Sequence, residues 1–156
     1  MTGDVRLRAL RWRDLDRLLD VERELFGDSA WTAEMFWGEL AHAQTRWYVV
    51  AEDGAGDLLG YAGLLCPGSE ADVQTIAVAA GAQGRGIGGL LLGALIDQAV
   101  RRGATSLLLE VRADNEPAIG LYHRRGFERI AIRRRYYQPE DVDAWVMRLR
   151  PLPPVD

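Results

Sequence analysis

Two groups of residues in this chain are of types that can do chemistry. The first could bind an anion. Gln83-Gly84-Arg85-Gly86-Ile87-Gly88-Gly89 lies between a β-branched run, Thr75-Ile76-Ala77-Val78, and a helical pattern with Ile87, Leu91, Ala94, Leu95 and Gln98 on one face. That layout reads as strand, glycine-rich turn and helix N-terminus. Glycines there let the backbone take positive φ and approach a ligand without Cβ atoms in the way. The first helical turn has N–H groups with no intrahelical partner, which suit a phosphate or pyrophosphate, and Arg85 adds a fixed positive charge. Five glycines between positions 81 and 89 are more than a plain connecting turn requires. The second group could handle a proton. Glu110 is a charged residue in the apolar run Leu107-Leu108-Leu109-Glu110-Val111, and such carboxylates are seldom buried unless paired or functional. Pairing with Arg112 or another arginine and a functional role both stay open from the residues alone. Tyr122 follows Asn115 by seven residues on one helical segment, where by pattern it is a core aromatic.

Composition narrows the chemistry. All 19 basic residues are arginine, which excludes a lysine Schiff base and the loop lysine of a phosphate-loop NTPase. Cys66 is the single cysteine and the two histidines, His42 and His123, lie far apart, so no intrachain disulfide and no metal site are expected. Cys66 beside Pro67, with no histidine near in sequence, is set aside as a nucleophile. Net charge is −4, against bulk nucleic-acid binding, yet residues 81–137 hold ten arginines and five acidic residues. A basic half around a glycine loop suits a small polyanion. No apolar run approaches the ~20 residues needed to span a bilayer, and the charged start is unlike a signal peptide. A cytoplasmic monomer with no membrane contact is the expectation.

These residues need a scaffold to position them. Alternation over 5–10 reads as a first strand, Asp14 as the N-cap of a helix ending near Gly27, and Thr32 as the cap of a second helix over 33–42. Trp31 and Trp37 make this region aromatic, either as core or as the wall of a substrate groove. Residues 47–52 and 58–65 form an antiparallel hairpin across a turn at 53–57, and 71–78 is the strand entering the glycine loop. The long helix ends at Arg101-Arg102-Gly103. A strand over 105–111 follows, then a helix capped by Asn115 with Pro117 in its first turn. Strands over 127–137 and 143–149 close the chain. The pattern predicts one domain over 1–150, a mixed α/β sheet, and a disordered proline-rich tail over 151–156.

Gly84, Gly86 and Gly89 satisfy G-x-G-x-x-G, with Glu110 about 20 residues on, which is a dinucleotide-binding fingerprint. Residues 79–83 intervene between strand and first glycine, however, and five or six elements precede the motif. The chain beyond Glu110 is too short for the rest of that fold. The competing match is Gln-x-x-Gly-x-Gly on Gln83, Gly86 and Gly88. Through it, and through the order of elements over 5–149, the chain resembles the GNAT superfamily of acyl-CoA N-acyltransferases. Leu109-Glu110-Val111-Arg112-Ala113-Asp114-Asn115 and Ile132-Arg133-Arg134-Arg135-Tyr136-Tyr137 further resemble its RimI-like branch of ribosomal-protein-alanine N-acetyltransferases.

The resemblance implies a GNAT fold, a largely antiparallel central sheet with helices on both faces. It implies acetyl-CoA held by Ile76, Ala77 and Val78 at the pantetheine arm, by Gln83, Gly84, Arg85, Gly86, Ile87, Gly88 and Gly89 at the pyrophosphate, and by Asn115 and Tyr122. It further implies Glu110 as general base, Tyr122 as general acid to the leaving thiolate, and Val78 N–H polarising the thioester. Trp31, Glu110, Tyr136 and Tyr137 would line the path of a protein N-terminus, a small-subunit ribosomal protein on this resemblance. Two departures stand out: Ser29-Ala30-Trp31-Thr32 replaces Phe-Pro-Trp-Ser, and Gly84 replaces a residue that is often basic. Acetylation of a small amine or a lysine side chain, and an acyl-CoA-binding module without turnover, are the alternatives.

Overall fold

Alternation and amphipathic spacing place the chain's apolar residues on two opposite faces of one sheet. The computed structural model describes residues 4–155. Among them are seven strands and four α-helices: β1 (Arg6–Ala9), α1 (Leu15–Phe26), α2 (Ala33–Leu40), β2 (Arg46–Glu52), β3 (Leu58–Leu65), β4 (Glu70–Val78), α3 (Ile87–Arg101), β5 (Ser106–Arg112), α4 (Glu116–Arg124), β6 (Glu128–Tyr137) and β7 (Val142–Leu149). The strands form a single sheet in the order β1-β2-β3-β4-β5-β7-β6. Every neighbouring pair is antiparallel except β4 and β5. The helices on both faces and the mostly antiparallel sheet agree with the expected fold class. No described helix is long and apolar enough to cross a membrane.

Strand β2 shows how the pattern becomes two cores. Val49 and Ala51 point to the α3 side and Tyr48 and Val50 to the α1 side, and all four are buried. The larger core joins β2–β5 to α3 and α4 through Leu64, Leu91, Leu95, Leu107, Ile119 and Phe127. The smaller one joins the sheet to α1 and α2 through Leu15, Leu18, Phe36 and Tyr61. On α3 the buried stripe runs through Ile87, Leu91, Leu92, Leu95, Ile96 and Ala99. It is turned toward Leu92 and Ile96 from the expected Ala94 and Gln98, because the helix lies across β2, β3 and β4 together. Each buried Leu or Ile there contributes about 1.5–3 kcal/mol.

The structure changes several local expectations. Thr32 does cap α2, accepting from Met35 N at 3.3 Å, but the helix ends at Leu40. Asp14 is not a side-chain cap of α1. Its carboxylate takes the Arg8 guanidinium in a fork at 2.8 and 2.8 Å, the Arg11 N–H at 2.8 Å and Arg17 at 3.0 Å. Two guanidinium groups, Arg8 from β1 and Arg17 from α1 itself, and the Arg11 N–H occupy its lone pairs in place of the N–H groups of the first turn. Leu152, in the proline-rich tail expected to be disordered, packs against the larger core as an apolar side chain beside its edge. Residue 156 of that tail lies outside the described residues, as do residues 1–3 of the expected domain.

The Arg8 cluster ties β1 to β2 and to the start of α1. Arg8 also reaches Glu52 at 3.2 Å, and Asp14 and Glu52 are both buried. Hydrogen bonds from Arg8 hold both carboxyls below the usual carboxylate range. A depressed folded pKa means stabilisation that is complete above the unfolded value of about 4. It is lost as pH falls through the folded values. The urea midpoint is therefore expected to drop on acidification below about pH 4. Arg8→Met, which leaves two buried carboxylates without their shared cation, should lose on the order of 3 kcal/mol at neutral pH. Urea unfolding of both proteins across pH measures both effects.

Candidate active site

The site begins where two parallel strands stop pairing. β4 and β5 are paired at Glu70↔Ser106, Ala71↔Leu107 and Asp72↔Leu108, and no further pair forms between them among the described residues. β4 stays paired to β3 as far as Gly60↔Val78. Its other edge, from Val73 onward, therefore faces a gap, and backbone groups on such an edge need a partner from water or a ligand. A cavity of about 660 Å³ opens there, lined by 73–76 of β4, 109–112 of β5, Asn115, Tyr122, Trp31 and Tyr137. A second, of about 500 Å³, is lined by Asp72, Arg133 and Tyr136 and shares Trp31, Gln74, Glu110 and Tyr137 with the first.

The glycine loop continues from the end of β4. Gln83 does not extend outward: its side-chain amide donates to Val78 O at 3.2 Å and clasps the loop to the strand. Gly84 and Gly86 take φ of 78° and 80°, and Gly86 is the residue from which α3 starts. Arg85 between them is exposed, whereas Ile87 is buried in the larger core. Gly88 and Gly89 face α4, where an added Cβ would meet Leu121 at 3.5 and 3.7 Å, and Gly89 O accepts from Arg125 at 2.8 Å. The glycines thus divide into two needing left-handed backbone and two packed under α4.

Glu110 lies on the opposite face of β5 from the buried Leu109 and Val111, and its side chain is 34 % exposed. It borders both cavities, and Arg133 Nε stands 3.6 Å from its Oε1. Arg112, the partner first considered from sequence, instead forks onto Asp114 and stacks over Tyr137. Tyr122 is a buried residue against Phe127 and also lines the larger cavity, so the core and cavity placements coincide. Burial pushes its phenol up to about 12, so it keeps its proton throughout the neutral range. Asn115 Oδ1 accepts from Ala118 N at 3.3 Å as the expected cap while bordering the same cavity.

The structure gathers Ile76, Glu110, Asn115, Tyr122, Trp31 and Tyr137 around the larger cavity and adds Tyr136 at the smaller one. Ala77 is buried in the α1-side core, and Gly60 approaches it so closely that an added Cβ would stand 2.6 Å from Ala77 O. Trp31 is both wall and core, its ring 5.0 Å from Phe36, whereas Trp37 is exposed. Burial and then the Glu110 carboxylate raise the Tyr137 phenol. Glu22 and Gln74, which no motif marks, also line the cavities, as does Arg133, which belongs to the Arg-Arg-x-Tyr-Tyr segment but had no role assigned to it. For Glu22 the available signal was an acidic residue on the apolar face of α1. Burial raises the Cys66 thiol, and among the described residues no group of three potential metal ligands occurs.

A sheet that parts between its one parallel pair, with a glycine loop leading into a helix at the end of the gap, is the arrangement expected from the resemblance to acyltransferases. The chain belongs to the acetyltransferase (GNAT) family, whose model matches residues 9–127. It is 44 % identical over 156 residues to the N-alpha-acetyltransferase RimI of Mycobacterium tuberculosis, covering 95 % of this chain and 96 % of that one. The crystal structure of the ribosomal-protein-S18-alanine N-acetyltransferase from Escherichia coli superposes with a TM-score of 0.85 at 30 % identity, covering 97 % and 96 % of the two chains. A longer Mycobacterium leprae protein is 46 % identical over 140 residues, which make up 86 % of this chain and 38 % of that protein; the chain thus spans well under half of that relative.

The division among the glycines predicts unequal effects. Gly86→Ala forces a Cβ into left-handed backbone at a cost of about 1–2 kcal/mol. Gly88→Ala adds only ordinary contacts and should leave stability essentially unchanged. Thermal unfolding of the two variants gives the comparison.

Proposed function

We propose that this chain transfers the acetyl group of acetyl-CoA directly to the N-terminal α-amine of a protein, with the N-terminal alanine of the small-subunit ribosomal protein bS18 as its acceptor. The observation that carries this reading is that Glu110 and Tyr122 border one cavity between the parted strands. The names of its relatives support the acceptor.

Acetyl-CoA is a substrate here and supplies an activated acetyl group. The residues present suit it. The unpaired edge of β4 offers peptide groups to an amide-rich arm, and the Gly84–Gly86 turn leads into the first N–H groups of α3, a place that favours phosphate. Ile76, Ala77 and Val78 would hold the arm, and residues 84–89 the pyrophosphate, with Gln83 keeping the loop in place. Val78 N–H is the donor assigned to the thioester oxygen.

The acceptor must first become nucleophilic, since an α-ammonium has a pKa of about 7.7–8.0. Glu110, accessible and facing both cavities, takes that proton. The amine nitrogen then attacks the thioester carbon, the C–S bond breaks, and the amide and the coenzyme A thiol are the products. Tyr122 gives its O–H proton to the departing sulfur and is restored by the second proton, which the attacking nitrogen loses on becoming an amide. Trp31, Tyr136 and Tyr137 flank the approach of the peptide.

The test is thiol release with a peptide copying the bS18 N-terminus, beside the same peptide with its α-amine blocked. Release only with the free amine is expected; equal release with both would refer the activity to a side-chain amine or to hydrolysis. Glu110→Gln should lower kcat by about 100-fold or more at neutral pH with acetyl-CoA affinity unchanged. Tyr122→Phe should also lower kcat. An unaffected rate in either variant removes that residue from its assigned role.

A further inference from the structure

The α1-side wall of the cleft is held by a carboxylate that takes no part in the chemistry assigned above. Glu22 lies on α1, is 3 % exposed, and borders the larger cavity. Buried carboxylates are usually matched by a cation. The hydrogen-bond partners of Glu22 are two neutral donors, the backbone N–H of Trp31 at 2.8 Å and the phenol O–H of Tyr61. Trp31 lies in the connection between the turn Gly27–Ser29 and α2, so no helix or strand supplies an acceptor for its N–H. Its ring rests on Phe36 at 5.0 Å, and Phe36 rests on Tyr61 at 6.2 Å. Glu22, Trp31, Phe36 and Tyr61 thus form one closed set spanning α1, the connection, α2 and β3, and its Trp31 member faces both cavities.

We infer that Glu22 is a positioning residue for acceptor recognition: it fixes the Trp31 segment as the wall against which the acceptor's N-terminal residues lie. The inference rests on the α-amine acetylation reading. A carboxylate suits the task because both donors require an acceptor, and its two oxygens serve one each. A glutamine of the same size would turn an NH₂ toward one of the two donors. The wall then loses its anchor while the acetyl-CoA side of the cleft, built on β4, the glycine loop and α4, is untouched. Small displacements of a positioning surface are felt strongly in turnover.

The experiment uses the full chain and compares Glu22→Gln, Trp31→Ala and the double variant. Glu22→Gln is expected to raise the KM of the acceptor peptide about tenfold, as for loss of a hydrogen bond to a charged group, with the KM of acetyl-CoA unchanged. In the Trp31→Ala background it should add nothing further, because Glu22 acts through Trp31. A purely structural Glu22 would lower the active fraction and leave both KM values alone. An unchanged peptide KM, or an effect that persists in full without Trp31, overturns the inference. If Glu22→Gln does not fold, Tyr61→Phe keeps the carboxylate, removes one donor, and should raise the peptide KM by a smaller factor; no rise overturns it.

Amide hydrogen exchange separates the two readings. Protection of the Trp31 N–H should fall in Glu22→Gln while the amides of α3 are unaffected, and unchanged Trp31 protection overturns the anchor even where α-amine acetylation holds. Lost protection in a protein whose wild type turns over no α-amine overturns the acetylation reading and leaves the anchor standing.

Discussion

Three residue pairs hold β4 to β5, and beyond Asp72 and Leu108 the two strands part. The site depends on that parting. It leaves one edge of β4 with peptide groups that require a partner, while β3 secures the other edge. It also creates the cavities that Trp31, Glu110 and Tyr137 share. Because α3 starts just past the end of β4, the glycine turn stands at one end of the gap. α4 closes the same region from beneath: Ile119 and Tyr122 join the core that contains Ile87 and Leu91, and Arg125 bonds Gly89 O across the two helices. Once those contacts are made, β5 is held away from β4 by packed side chains.

The ionisable groups divide by what they face. Asp14 and Glu52 are buried and matched to guanidinium groups, so their charge is used in holding β1 and α1 to the sheet. Glu110 has Arg133 as its one ion-pair partner among the described residues and keeps access to the cleft. Among the described residues Glu22 is buried against two neutral hydrogen-bond donors. The arginine-only composition has a related consequence. Guanidinium groups lie over Tyr137, Trp145 and Tyr136 from Arg112, Arg129 and Arg133 at 5.2, 4.9 and 5.4 Å, contacts that suit a planar delocalised cation better than an ammonium. Much of the positive excess in the second half of the chain is therefore engaged with aromatic rings, Asp114 and a helix carbonyl. It is not directed wholesale at an anionic ligand.

Most of the fold could be read along the chain. Alternation marked β1, the turn residues at 53–57 marked the β2–β3 hairpin, the β-branched run marked β4, Thr32 and Asn115 marked the starts of α2 and α4, and the glycine-rich turn marked the start of α3. Each is a local signal, carried by residues close in sequence whose backbone preference or hydrogen bond is satisfied locally. Asp14 misled because its pattern was that of a cap while its strongest partner, Arg8, comes from a different element. The glycine run looked uniform, yet Gly84 and Gly86 meet a backbone requirement and Gly88 and Gly89 a packing one.

By itself the sequence determined the elements, a mixed α/β sheet and the glycine turn leading into a helix, because periodicity and turn chemistry are properties of neighbouring residues. It also singled out Glu110 as a charge in an apolar strand, though not which arginine would stand beside it. The tertiary structure alone decided that Arg133 takes that place and Arg112 turns to Asp114, that Gln83 folds back onto Val78, and that Glu22 anchors Trp31 across nine positions of chain. Those contacts join residues on separate elements. Their geometry is set only when β5 is inserted between β4 and β7 and α1 is laid against β3.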